Sequence, residues 1–381
     1  MSAKETAIRN ARILLRSEVV HGTMLIRGGR IAAIDRDGGT PSAAEDWEGD
    51  LLLPGLVELH TDNLEKHIVP RPGVWWPVLS ALVSHDAQLA AAGITTVLDS
   101  IAVGDPNGEG MRARMLHQAV AGLDQACDGN LLRIRHLLHL RCEVASKTVL
   151  EDIRAFIAHP KLRLVSLMDH TPGQRQWIDL DKYRRFYQGR NFWSDVKTDE
   201  MIALQRELQA RYADSNRRGV VALARERGVP LASHDDTTVE NVAQALEHGV
   251  TMSEFPTTVA AARMAHDHGL GIIAGGPNLV RGESHSGNVS ALELAELGLV
   301  DAISSDYMPS SLLAGAFRLY REKGFTLPEA IATVSRHPAR MVGLGDRGEI
   351  APGLRADVIR VNANGAFPVV RAVYCAGERV G

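Results

Sequence analysis

Between residues 55 and 344, short apolar runs alternate with longer stretches of helical period. The runs are Leu56–Leu59, Thr95–Ile101, His136–Glu143, Leu162–Met168, Val229–Ser233, Thr251–Glu254, Gly271–Ala274 and Ala302–Ser305. Near-continuous apolar runs of this length predict strands covered on both faces. Helices are predicted between them, among them His85–Ala92, Asp199–Arg227 and Thr238–His248. Eight strands alternating with helices predict a (β/α)8 barrel of the TIM type. A doubly wound sheet is the rival, but no phosphate-binding glycine loop follows the first strand.

The two ends of the chain have a different rhythm. Ala11–Leu15, Thr23–Arg27 and Ile31–Ile34 are short groups joined by glycine turns, and Ala356–Val361 and Val369–Tyr374 are similar. Residues 1–54 and 345–381 therefore predict one small β-sandwich assembled from both termini, beside a barrel spanning 55–344.

In such a barrel the chemistry sits at the C-terminal ends of the strands, where alternate residues share a face. The first strand ends with Glu58, His60 and Asp62. The third carries His139, Arg141 and Glu143, and the fourth leads to His170. The fifth ends at His234, the sixth at Glu254 and the eighth at Asp306. Singly, a buried His is more often a hydrogen-bonded core residue than a ligand, and an Asp after a strand more often a helix cap. Together, so many unpaired titratable groups on one rim would be costly to desolvate. One or two divalent cations relieve that cost. Imidazoles mixed with carboxylates favour zinc, with manganese or iron also compatible, over calcium.

Composition narrows the function class. The 381 residues carry a formal charge of −4, so a general affinity for nucleic acid or anionic membrane is not expected. The three cysteines, Cys127, Cys142 and Cys375, are odd in number and widely spaced, which suits a reducing compartment rather than a disulfide framework. The N-terminus has no apolar run behind its charges, and no stretch is long enough to span a bilayer, so a cytoplasmic location is expected. A homo-oligomer is compatible with the sequence. Two motifs are set aside. Gly343–Gly348 fits G-x-G-x-x-G but follows a helical stretch rather than a strand, and His266-Asp-His268 sits at a helix end where its imidazoles diverge.

Leu51-Leu-Leu-Pro-Gly-Leu-Val-Glu-Leu-His-Thr-Asp62 resembles the first-strand motif of the amidohydrolase superfamily. Ala90–Val97 resembles its second strand, and Ser335–Arg340 with Gly348–Asp357 its ending. Within it, His60–His67, His139–Glu143, Met168–Gln174, Glu254–Thr257 and Ser304–Pro309 resemble the ribosyl triphosphate diphosphatases of the carbon–phosphorus lyase pathway. The resemblance implies metal-dependent release of pyrophosphate from α-D-ribose 1-methylphosphonate 5-triphosphate, leaving the 5-phosphate. Deamination or deacetylation of a small molecule is the alternative chemistry within the superfamily.

On that reading His60, Asp62, Glu143, His170, His234 and Asp306 are expected to hold metal. The usual first-strand H-x-H is here His60-Thr-Asp62. No lysine stands at the end of the fourth strand, which leaves Glu143 as the candidate bridging carboxylate. Asp306 is expected to orient water and accept its proton. The triphosphate implies further substrate-binding residues: Lys66, His67, Arg141, Arg175, Glu254, Asn278, Arg281 and His285 are the candidates, with Arg281 the first choice among the cations and Arg175 the second. The glycine-rich segment Gly275–Gly287 is the expected anion loop.

Overall fold

The computed structural model describes residues 5–36, 44–106, 110–191, 193–284 and 287–381. The N-terminal strands are β1 (Glu5–Leu14), β2 (Val19–Arg27), β3 (Arg30–Asp35), β4 (Glu45–Asp46) and β5 (Leu51–Pro54). At the other end come β14 (Val358–Asn362), β15 (Val369–Cys375) and β16 (Glu378–Arg379). These form one eight-stranded sheet, ordered β16-β15-β14-β5-β1-β2-β3, with β4 pairing β1. β5 lies between β1 and β14 and joins the two ends of the chain. Ile8, Ile13, Met24, Ile26, Trp47, Leu52, Val358 and Tyr374 form its core. No one segment of this size buries enough apolar surface alone, so the termini must meet.

The second sheet is parallel and runs β6 (Leu56–Thr61), β7 (Ile94–Val103), β8 (Arg135–Glu143), β9 (Leu162–Met168), β10 (Leu231–His234), β11 (Met252–Glu254), β12 (Gly271–Gly275) and β13 (Ala302–Ser304) in chain order. A parallel bridge between Thr61 and Asp306 returns the last strand to the first. The fold is thus a (β/α)8 barrel with a β-sandwich module drawn from both termini. The eight apolar runs read from the sequence coincide with these strands to within a few residues, as boundary reading allows.

Val57, Leu59, Leu98, Leu137, Leu164, Ala232, Met252, Ile273 and Ala302 cluster as one apolar plug. Above it the inward positions become polar, which is where a barrel builds its site. The connections that matter for that site are α1 (Asn63–Ile68), α2 (Val78–Ala91), α3 (Met111–Asp128), a short α4 (Val149–Arg154), α5 (Leu180–Asn191) and α6 (Asp195–Arg227). α6 begins with Ser194 capping the Lys197 amide and ends on Gly228 in the left-handed conformation, at φ +62°.

Candidate active site at the C-terminal rim of the barrel

A cavity of about 740 Å³ opens over the C-terminal ends of the strands. His60, Asp62, Arg141, His170, His234 and Asp306 all line it, as do Lys66 and Asn278. Non-glycine residues with positive φ concentrate here: Asp235 (+56°), Phe255 (+54°) and Asp306 (+51°). Such backbone is costly away from glycine and persists where surrounding structure enforces it. Asp235 and Phe255 are pinned by amide bonds to the Glu254 and Ile273 carbonyls, 2.9 and 2.8 Å, and Asp306 by one to the His60 carbonyl, 3.0 Å.

The centre has two neighbouring parts. In the first, His60 Nδ1 lies 3.0 Å from Glu254 Oε1, and Ser166 donates to the other Glu254 oxygen at 2.5 Å. His139 Nδ1 reaches the Leu59 carbonyl at 2.9 Å and Nε2 the Ser166 hydroxyl at 2.5 Å. Burial, helped by the Arg141 cation, holds His60 well below its ordinary imidazole range, and its Nε2 faces Arg141 Nη1 at 3.5 Å. In the second part, His234 Nδ1 is 2.7 Å from Asp235 Oδ2, and His170 Nε2 is 3.7 Å from the same oxygen. Burial opposes charge on His234, but the Asp235 carboxylate outweighs it and raises the imidazole. Asp306 is pushed up to about 7 by burial and by the neighbouring Asp62 carboxylate. Burial likewise takes Glu58 to about 7, although Ser304, Ser305 and the His60 amide all donate to it.

The donor chemistry fits a divalent cation. His170, His234 and Asp235 present ligand atoms within 4.8 Å of one another, and so do His60, His139 and Glu254. Imidazole with carboxylate is the set that zinc and its neighbours take.

Several sequence expectations are corrected by position. Glu143 is 1 % exposed and sits behind His170, accepting from its ring at 2.7 Å and from its amide at 3.2 Å. It orients that imidazole and does not line the cavity. Glu254 is fully buried beneath His60 and is not part of the cavity lining. Arg175 is buried, at φ +48°, donating to Asp236 at 2.8 Å and the His234 carbonyl at 2.9 Å; it braces the fifth strand. Arg281 lies outside the cavity lining, exposed beside Glu283 at 3.6 Å. His67 faces Gln88 at 2.9 Å instead of the cavity. Asn278 spends its amide on the Val289 carbonyl and the Ala291 amide, at 3.1 and 3.0 Å. The expected anion loop begins as a helix, Gly276–Arg281, because Pro277 at its first turn favours helical φ. His285 lies outside the described residues.

Other residues come into the site unannounced. Asp235 follows His234 directly, and the His-Asp-Asp run was the available signal. Arg112, at the start of α3, lines the cavity, and its buried Nη1 has no partner among the described residues. Nothing in a single arginine at the start of a helix distinguishes it in the sequence. Lys66 pairs with Asp62 at 3.1 Å, and Arg141 with Glu65 at 3.3 Å.

A parallel barrel with histidines and carboxylates at its strand ends is the architecture of metal-dependent hydrolases, and residues 51–380 match the model of the Amidohydrolase family. The chain belongs to that family, an enzyme of the hydrolase class. It is 44% identical over 375 residues, 98% of this chain and 99% of the other, to the alpha-D-ribose 1-methylphosphonate 5-triphosphate diphosphatase of Escherichia coli (strain K12). It is also 36% identical to the imidazolonepropionase of Deinococcus deserti, across 94% of this chain and 91% of that one. Among solved structures, dihydropyrimidinase from Brevibacillus agri NCHU1002 superposes with a TM-score of 0.67 at 14% identity, covering 99% and 95% of the two chains. No helix among the described residues is long and apolar enough to cross a membrane.

Proposed function

We propose that the protein hydrolyses α-D-ribose 1-methylphosphonate 5-triphosphate to the 5-phosphate and pyrophosphate, in the breakdown of phosphonates in the cytoplasm. The observation that carries this reading is the 44% identity to a diphosphatase of that substrate over nearly the whole of both chains. The cavity chemistry agrees with it. Lys66, Arg112 and Arg141 supply cationic charge to a rim whose chain is acidic overall, so phosphate recognition is local rather than a matter of net charge.

His60, His170, His234 and Asp306 are the residues we assign to hold one or two divalent cations, zinc first, with Asp62 and Asp235 beside them. When bound, such a cation supplies Lewis acidity toward water and toward phosphoryl oxygen. The chain's own groups do the rest. Asp306, on the cavity wall, takes a proton from the attacking water. Arg141 and Lys66 hold phosphoryl oxygens, and Arg112 offers an uncommitted guanidinium edge to the leaving pyrophosphate. Glu143 and Glu254 keep His170 and His60 turned toward the cavity.

The test is pyrophosphate release from the ribosyl triphosphate by the chain and by His234→Ala, with bound metal measured alongside. The variant should lose both metal and turnover. Full metal and full activity in it would overturn the site assignment. Hydrolysis of an amide or imine by the unaltered protein, with no triphosphate accepted, would overturn the substrate.

A further inference from the structure

The cavity is chemically mixed. The helices after β6 and β7, with the end of β8, contribute Lys66, Arg112 and Arg141 to its lining, and the segment after the neighbouring strand β9 contributes Trp177, Phe186 and Tyr187. The aromatic group is ordered by ring-on-ring packing. Trp177 and Phe186 lie 5.1 Å apart, Phe186 and Tyr187 5.2 Å, and Tyr187 stacks on Trp193 at 5.9 Å. Phe186 is nevertheless 38% exposed, and it lines the cavity. Holding an aromatic face toward water forgoes the burial that such a ring would gain in a core, so the wall is suited to covering a flat or apolar ligand surface. A ribose carrying a phosphonate has no π-face and is anionic at both ends. Its recognition leaves this wall largely unused.

We propose that the aromatic wall admits a second substrate class at the same centre: nucleoside 5′-triphosphates, with the base against Phe186, Tyr187 and Trp177 and the triphosphate on Lys66, Arg112 and Arg141. This rests on the diphosphatase reading and extends it. The reaction is the same hydrolysis. Water's oxygen bonds to the α-phosphorus while the bond from that phosphorus to the α–β bridging oxygen breaks. Pyrophosphate leaves with the bridging oxygen, a nucleoside monophosphate remains, and the proton of the attacking water passes to Asp306. Every base has a π-face, so the wall tolerates purines and pyrimidines alike. A cavity of about 740 Å³ lies in the range that holds a ligand of this size.

Three substrates separate the outcomes: the ribosyl triphosphate, ATP, and inorganic tripolyphosphate, which has nothing to stack. The metal-loaded protein should release pyrophosphate from the first two. In Phe186→Ala the ratio of KM for ATP to KM for tripolyphosphate should rise about tenfold, the range of one lost base–aromatic stack, and Phe186→Trp should restore it. Affinity for the α,β-methylene analogue of ATP should fall in step, and thermal unfolding of the variants establishes that they are folded. Cleavage of the ribosyl triphosphate with none of ATP, or an ATP ratio indifferent to Phe186, would overturn the second substrate class and leave the first. Cleavage of neither would overturn both.

Discussion

Replacing His136 with glutamine probes a charged network that sits outside the cavity, between the barrel wall and α2. His136 Nδ1 is 2.8 Å from Asp99 Oδ2, and Nε2 is 3.4 Å from Asp86 Oδ1. The other Asp99 oxygen faces His85 at 2.8 Å, and Asp86 also meets Arg133 at 3.2 Å. His85 in turn contacts Asn63, the first residue of α1, at 2.9 Å. Burial resists charge on His136, but the two carboxylates outweigh it and push the imidazole from its ordinary 6.5 up to about 9. A raised folded value means that the stabilisation is fully present below pH 6.5 and is lost as pH climbs through 9. One proton is released across that window, so stability falls by at most 1.36 kcal/mol per pH unit, about 3 kcal/mol in all. Burial holds His85 below its ordinary value, so its own contribution has the opposite sign and lies at the acid end of the range. The assay is urea unfolding at intervals from pH 6 to 10. The unaltered chain should lose midpoint steadily between pH 6.5 and 9. His136→Gln should be less stable at pH 6.5 and should lose the part of the slope that lies above pH 8, where Asp306 and Glu58, both near 7, have already released their protons. A variant with the parent's slope would refute the reasoning, because the proton would then belong to another group.

Three further outcomes follow from the site and the terminal sheet. Arg112→Ala should lower kcat/KM for the ribosyl triphosphate about ten- to a hundredfold, the worth of one charge-assisted hydrogen bond, with metal content retained, whereas Arg281→Ala should change it by less than twofold; steady-state kinetics with metal analysis compares them. Glu143→Gln should weaken metal affinity about ten- to a hundredfold through the loss of His170's orientation, measured by competition with a chelator; wild-type affinity would show that His170 needs no such brace. Deleting residues from 350 onward should unprotect the amides of β5 and β1, because β14 supplies one whole edge of β5; unchanged hydrogen exchange there would contradict the shared sheet.

The barrel was legible because its strands are buried on both faces and read as unbroken apolar runs, from Leu162–Met168 to Ala302–Ser304. The rim histidines were legible for a related reason: a polar side chain at the end of such a run has few other uses. Direction was not legible. Glu143 and Glu254 stand at strand ends exactly as ligands would, yet each turns to hold the histidine beside it, and spacing along one strand says nothing of a neighbour on the next. Cations in the connections between strands were the least readable. Arg175, Arg281 and Arg112 look alike in sequence. Asp236 claims the first and exposed Glu283 the second, while Nη1 of the third has no hydrogen-bond partner among the described residues.

The run from Leu51 to Asp62 leaves the terminal sheet as β5, turns at Gly55 and enters the barrel as β6, delivering His60 and Asp62. A side chain at Gly55 would collide with Thr95, so the two sheets meet there with no slack. Because the edge of β5 away from β1 is filled by β14, the support beneath the first rim residues is made after the whole barrel. During synthesis the barrel's eight strands are all available well before residues 358–362 leave the ribosome, which at 5–20 residues per second is a wait of a few seconds. A nascent chain paused short of that point holds every rim side chain and lacks the strand that fixes where the first two stand. The placement of His60 and Asp62 thus depends on a strand made after the whole barrel.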